Sequence, residues 1–230
     1  MRIIGGIFKG MQLTLPSGFK ARPTTDFARE GLFNILTNSF DLETISVLDL
    51  FSGTGCISYE FLSRGCRDIT SVEMDHANSQ FIKQTSLALI KKLYDNDKYL
   101  NKRCDNERCD NERCDMPDEE NKVRNAGVKQ ISFKSLHHNV FDFLKICNKK
   151  FDIVFADPPY DLAGFSGIPE KILSASLLEN SDSILIFEHP SRDSFKNHPC
   201  FVREKKYGNV HFTFFSAKKL YLQNEESEKT

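Results

Sequence analysis

The 230-residue sequence predicts an α/β fold, an open and mostly parallel sheet covered by helices, on the strength of three observations. Short apolar runs of strand length (Val47 to Leu50, Ile69 to Val72, Phe151 to Phe155, Ser183 to Phe187) alternate with segments of helical spacing, the pattern of strands buried on both faces. The first run stops in a turn carrying Gly53 and Gly55, and helical spacing resumes from Ile57 to Arg64. Strand, glycine turn and helix together build the crevice at the carboxyl ends of parallel strands where open α/β sheets bind ligands. The last pair of runs, Phe201 to Lys206 and Val210 to Phe215, is joined by Tyr207-Gly208-Asn209 and reads as an antiparallel hairpin.

Taken in order, residues 1 to 15 set short apolar pieces between Gly5-Gly6 and Lys9-Gly10 and read as a small β-hairpin, with a loop from Pro16 to Lys20. Thr24 or Thr25 caps a helix from Phe27 to Leu36, its apolar positions Phe27, Leu32, Phe33 and Leu36. Within residues 1 to 31 five basic side chains (Arg2, Lys9, Lys20, Arg22, Arg29) stand against Asp26 and Glu30, a local excess able to meet phosphates. Net charge over the chain is -1, so no general attraction to nucleic acid or membrane follows. No signal peptide and no apolar run of membrane-spanning length is present. The seven cysteines, odd in number and scattered, fit reduced thiols in the cytoplasm better than a disulfide framework.

Beyond the first helix of the sheet, Asp68 to Glu73 is a second strand and His76 to Leu93 a helix. From Asp95 to Asn125 the chain turns almost wholly polar, with Arg-Cys-Asp-Asn-Glu repeated at 103 to 107 and 108 to 112 and a partial copy at Arg113-Cys114-Asp115. Such a segment buries too little apolar area to order itself, and we expect a disordered insertion. Its cysteines, Cys104, Cys109 and Cys114, recur every fifth residue, turning about 140° around a helix at each step, which is no metal-ligand spacing. No metal site is expected; the adjacent His137 and His138 lack a third ligand. Gln130 to Phe133 is the third strand, Val140 to Ile146 a helix, Phe151 to Phe155 the fourth strand, Ile168 to Leu178 a helix, and Ser183 to Phe187 the fifth strand with Glu188 at its end. Gln223 to Thr230 is a charged tail.

Two features give the crevice a chemistry. A dinucleotide-binding turn needs a third glycine where this chain has Ser58, so NAD is a poor match, whereas Glu73 at the end of the second strand can accept from both hydroxyls of a ribose. A nucleoside without pyrophosphate fits, and S-adenosylmethionine is the obvious candidate. At the end of the fourth strand stands Asp157-Pro158-Pro159-Tyr160. Two prolines fix φ and remove two N-H donors, leaving a stiff corner of outward carbonyls. The Asp157 carboxylate and a proline carbonyl can grip both hydrogens of an amine on an aromatic base and turn its delocalised lone pair toward an electrophile, with Tyr160 stacking on the base.

With these motifs the chain resembles the class I S-adenosylmethionine-dependent methyltransferases, and among them the RsmD-type 16S ribosomal RNA guanine-N2 methyltransferases. The likeness is carried by the opening Met-Arg-Ile-Ile-Gly-Gly with Lys9-Gly10, by Arg22-Pro23-Thr24 leading to Glu30 and Leu32-Phe33-Asn34, by Asp49 to Gly55, by Val72-Glu73 with Asp75, by Asp157 to Tyr160, and by Lys206-Tyr207-Gly208. Two positions depart from the family's usual pattern: Ser52 replaces Ala, and Gln84-Thr85 stands where an Asn commonly closes the helix. The resemblance implies a Rossmann-like methyltransferase sheet, mostly parallel with its last strand antiparallel and helices on both faces, over residues 41 to 222, behind a β-hairpin and helix extension over 1 to 40. It implies a cofactor pocket of Asp49, Phe51, Gly53, Gly55, Glu73 and Asn139, with Asn139 near the adenine, and Asp157, Pro158, Pro159 and Tyr160 as the catalytic corner. It further implies a cytoplasmic monomer acting on ribosomal RNA, free or within a 30S particle. An adenine-N6 methyltransferase on RNA or DNA, and a non-catalytic RNA-binding scaffold of the same fold, are the alternatives.

Overall fold

The computed structural model describes residues 1 to 15, 24 to 108 and 130 to 216, with the side chains of 96 to 108 excepted. Seven strands form one sheet: β1 (Ser46–Leu50), β2 (Asp68–Glu73), β3 (Ser132–His137), β4 (Ile153–Ala156), β5 (Ile184–Pro190), β6 (Phe201–Tyr207) and β7 (Val210–Ser216). Their order is β3-β2-β1-β4-β5-β7-β6. The first five are mutually parallel, and β7 runs antiparallel to both β5 and β6.

Alternation along each strand divides the core in two, as side chains with a period of two must. Val47, Ile69, Ile153, Phe155, Ile186, Phe212 and Phe214 face one side, where they meet α1 (Asp26–Ser39), α2 (Cys56–Ser63) and α3 (His76–Arg108) through residues such as Leu32, Phe33, Phe61 and Ile82. Leu48, Leu50, Val72, Val154, Ala156, Leu185 and Phe187 face the other side, against α4 (Val140–Ile146) and α5 (Ile168–Ser174) through Val140, Phe143, Ile168 and Ile172. Helices thus cover both faces, as the sequence predicts.

Thr25 caps α1, its hydroxyl oxygen accepting from the Ala28 amide at 3.2 Å. The two arms of the hairpin expected over residues 1 to 15 pair antiparallel at the bridge of Arg2 with Gln12, the Ile3 amide donating to the Met11 carbonyl at 3.0 Å and the Leu13 amide to the Met1 carbonyl at 2.8 Å. The Ile7 and Phe8 amides both reach Ser63, donating to its carbonyl at 2.8 Å and to its hydroxyl at 3.0 Å.

Several boundaries differ from expectation. The fifth strand, expected to stop at Phe187, runs on to Pro190 because β7 pairs with it through Glu188, His189 and Pro190. The third strand begins and ends later than Gln130 to Phe133, because its parallel register with β2 carries pairing from Asp68–Ser132 to Glu73–His137, past the exposed Lys134 that breaks the apolar run. The helix expected to reach Leu178 stops at Ser174, since Leu177 and Leu178 are drawn into a bridge with Phe151. The helix α3 continues past Leu93 to Arg108, so the polar insertion expected to be disordered from Asp95 begins as helix; its remainder, with Cys109 and Cys114, and the tail from Gln223 lie outside the described residues. Cys56, Cys66 and Cys147 are free thiols, and among the described residues no helix is long and apolar enough to cross a membrane.

Arg29 is not the surface cation that charge counting suggests. It is 2% exposed, and its guanidinium donates to Glu60 Oε1 at 3.0 Å, to Asp26 Oδ1 at 2.5 Å and to the Arg2 carbonyl at 3.0 Å. Glu60, fully buried on α2, also accepts from the Ile4 amide at 2.6 Å and from Arg64. This network fastens α1 and the N-terminal segment to α2. Removing one member of a buried pair leaves the other charge stranded, at about 3 to 5 kcal/mol. Arg29→Ala should therefore lower the free energy of urea unfolding by that amount, and a loss below about 1 kcal/mol would show the network to be dispensable.

Candidate active site

The carboxyl ends of β1, β2, β4 and β5 open onto one cavity of about 970 Å³. Its floor is the connection between β1 and α2. Gly53 and Gly55 have φ of +55° and +78°, and a Cβ on Gly53 would meet nothing within 4 Å, so the backbone there faces open space. Phe51 also takes a positive φ, 59°, a conformation a bulky residue adopts only at some strain. That conformation sets its ring on the cavity wall, edge to face with Phe141 at 6.1 Å.

Glu73 closes β2 with each carboxylate oxygen holding one backbone amide, Gly53 at 2.7 Å and Asp75 at 2.8 Å. Burial pushes its pKa up, against the pull of those two donors. The carboxylate still lines the cavity, where each oxygen keeps a second lone pair. Asn139 caps α4, its side-chain oxygen accepting from the Phe141 and Asp142 amides at 2.9 and 3.3 Å, which leaves its amide NH2 turned toward Met74 at the cavity edge.

Of the six cofactor residues implied by the resemblance, Phe51, Gly53, Glu73 and Asn139 line this cavity, while Asp49 and Gly55 do not. Asp49 is 1% exposed and lies beneath the turn, where Oδ2 accepts from the Ser58 hydroxyl at 2.6 Å and the Ser58 amide at 3.2 Å. It braces the start of α2. Burial raises its pKa to about 7 despite the Ser58 donors. Gly55 acts through packing, since a Cβ there would fall 2.9 Å from the Tyr59 ring and 3.0 Å from Ile82.

Asp157, Pro158, Pro159 and Tyr160 all line the same cavity. The Pro159 carbonyl is taken by the Leu162 amide at 3.0 Å, so the Pro158 carbonyl is the acceptor left to the corner. Among the described residues Tyr160 is held at three points. Its hydroxyl donates to Glu188 Oε1 at 3.3 Å, its carbonyl accepts from Arg192 at 2.6 Å, and its ring stands edge-on to Phe165.

Glu188, read from the sequence only as the end of the fifth strand, proves central. It is 2% exposed, lines the cavity, and takes the Thr24 hydroxyl on Oε2 at 2.8 Å in addition to that of Tyr160. The register Ala156–Phe187 makes Asp157 and Glu188 neighbours on adjacent strand ends. Burial, then the charges of Glu188 and Asp49, push the Asp157 pKa well above the carboxylate range, and burial holds Glu188 at about 7. Its position at a strand end beside Asp157 was the one sequence signal available. Phe27 was also misread: expected on the core face of α1, it is 67% exposed at the cavity mouth, packed edge to face on Tyr207. On the sheet's other face His189, Glu204 and His211 gather within 4.8 Å, but both ring nitrogens of His189 are bonded within the protein, to the Pro190 carbonyl and the Thr213 hydroxyl.

The family model for conserved hypothetical protein 95 matches residues 1 to 114 and 119 to 216. The chain belongs to that family. Proteins similar to it include the putative rRNA methyltransferase YlbH of Bacillus subtilis, 39% identical over 82% of either chain. The ribosomal RNA small subunit methyltransferase D of Escherichia coli is 31% identical over 70% of this chain and 60% of its own. Among solved structures, a putative methyltransferase from Escherichia coli is 26% identical and superposes with a TM-score of 0.60 over 94% of this chain and 97% of its own. The sheet they share is the class I methyltransferase architecture expected from the sequence, and membership agrees with the RsmD-type resemblance of its motifs.

Raised carboxylate pKa values carry a sign for stability. The folded state binds these protons more tightly than the unfolded chain, so it is favoured below the ordinary carboxylate range and loses that advantage as pH rises through the folded values. Asp157→Asn removes one such group. The variant should melt above the wild type at pH 8, by a margin that shrinks to nothing near about pH 4. A constant margin across that range would mean that Asp157 is not held protonated by the fold.

Proposed function

We propose that this chain transfers a methyl group from S-adenosylmethionine to the exocyclic N2 amine of a guanine in small-subunit ribosomal RNA. The observation that carries this reading is the opening of the β1 turn, the Glu73 carboxylate and the Asp157 to Tyr160 corner onto one cavity, so that a methyl donor and a base amine share one space. Family membership and relatives described as ribosomal RNA methyltransferases support the choice of RNA.

The residues on the β1 and β2 side suit the cofactor. Glu73 offers two oxygens to ribose hydroxyls, Phe51 and Phe141 offer apolar walls, and Asn139 offers an amide donor at the rim. Bound there, S-adenosylmethionine supplies an electrophilic methyl group on a sulfonium. On the β4 side, Asp157 and the Pro158 carbonyl accept the two amine hydrogens, drawing the nitrogen lone pair out of conjugation and aiming it along the cavity. As a nitrogen-carbon bond formed and the donor's carbon-sulfur bond broke, the Asp157 carboxylate would be the group placed to take the amine's surplus proton. Arg192 at the mouth, its side chain 67% exposed, offers a cation to a phosphate of the strand.

Two variants separate the halves of the site. Glu73→Ala should abolish most of the rise in melting temperature that S-adenosylmethionine gives the wild type, because the ligand stabilises only by binding the folded state. Asp157→Ala should keep that rise and lose about 10² to 10³ in single-turnover methyl transfer, the worth of one charge-assisted hydrogen bond to the reacting group. Transfer by the wild type should also climb with pH as Asp157, held well above the usual carboxylate range, gives up its proton, and Asp157→Asn should lose that part of the rise while keeping the part due to Glu188. Wild-type rates in Asp157→Ala would remove the corner from the mechanism.

A further inference from the structure

Glu188 has an acceptor surface that positioning one amine does not use. Among the described residues no ion pair reaches Asp157 or Glu188, although the two lie side by side at strand ends that neighbour at roughly 4.8 Å. Two adjacent carboxylates without a cation are a poor arrangement for a protein left to itself. They are a good one for a ligand that presents a row of hydrogen-bond donors.

Guanine has such a row. Its Watson–Crick edge sets the ring N1–H beside the two hydrogens of the N2 amine, whereas adenine sets its N6 amine beside an N1 lone pair, which an ionised carboxylate repels. We infer that Glu188 selects guanine, its carboxylate accepting the ring N1–H while Asp157 accepts from the amine beside it. This rests on the reading of the cavity as the site of amine methylation.

The surroundings of Glu188 suit that role. Thr24 and Tyr160 each donate a hydroxyl hydrogen, one to each oxygen, so the carboxylate is fixed in orientation and the two donors offset part of the cost of its burial. Each oxygen then keeps a lone pair for the base. Thr24 reaches Glu188 from the start of α1 and Tyr160 from the turn after β4, so two separate elements hold the group that reads the ring. Tyr160 contributes through its hydroxyl as well as its ring.

The test is methylation of small-subunit RNA in which the methylated guanine, once mapped, is replaced by 2-aminopurine through splinted ligation. That base keeps the amine to be methylated and carries a lone pair where guanine carries N1–H. A site built around a buried hydrogen bond rejects an analogue that lacks it strongly, so the wild type should prefer guanine by at least about 100-fold in kcat/KM. Glu188→Gln can turn its NH2 to that lone pair and should cut the preference to about tenfold or less. RNA carrying inosine at the same position gives a second readout on the wild type alone, should the variant fold poorly. Inosine keeps N1–H and lacks the amine, and should inhibit competitively at concentrations where the 2-aminopurine RNA does not bind. Equal rates on guanine and 2-aminopurine in the wild type, or an undiminished preference in Glu188→Gln, would overturn the assignment of Glu188 and leave amine methylation standing. No methylation of guanine by any form would overturn the reading of the cavity itself.

Discussion

The site is governed by the cost of holding three carboxyl groups near the carboxyl ends of three adjacent strands, Asp49 and Glu188 buried and Asp157 half-buried on the cavity. Parallel strands bring their carboxyl ends to one edge of the sheet, and side chains of like parity to one face, so acids placed there must crowd together. Each has a different answer to that crowding. Asp49 is satisfied from below by Ser58 at the start of α2 and Glu188 by two hydroxyls from above, whereas burial and the charges of Glu188 and Asp49 push the Asp157 carboxyl well above the usual carboxylate range. The group with the least internal compensation is the one we propose to face the reacting amine. Stability is given up at the point where a hydrogen-bond acceptor is needed.

The N-terminal segment belongs to this arrangement. Arg29 and Glu60 lock α1 against α2, and that fixes where Thr24, just ahead of α1, meets Glu188. At the other side of α1, Gly31 lets Tyr207 approach so closely that a Cβ would lie 2.0 Å from its ring. The turn between β6 and β7 is thereby brought to the cavity mouth, where Tyr207, Gly208 and Asn209 join the lining beside Phe27. An element that looks peripheral in the chain thus sets one wall of the reaction space.

Much of this was legible because buried parallel strands write themselves as short, mainly apolar runs: Val47 to Leu50 and the run ending at Ala156 read directly. Edge strands do not, which is why Lys134 hid the second half of β3. The glycine turn and Asp157 to Tyr160 were readable since their chemistry is contiguous in sequence. Glu188 and Thr24 were not, because 164 residues separate two atoms 2.8 Å apart. Arg29 misled for the same reason, as a charge count cannot see that its partner Glu60 lies on another helix. Asp49 carried the letter of a pocket residue, yet only the fold shows its carboxylate turned away beneath the turn toward Ser58.

The central claim is that a guanine amine is methylated at the meeting of the β1 turn and the Asp157 corner. Its most direct test is to incubate the purified protein with unmodified small-subunit RNA, free or assembled into 30S particles, and S-adenosylmethionine bearing a labelled methyl group, then digest the RNA and identify the labelled nucleoside by mass. The account predicts N2-methylguanosine as the labelled product. Label in N6-methyladenosine, or in no nucleoside with either form of the substrate, would contradict it.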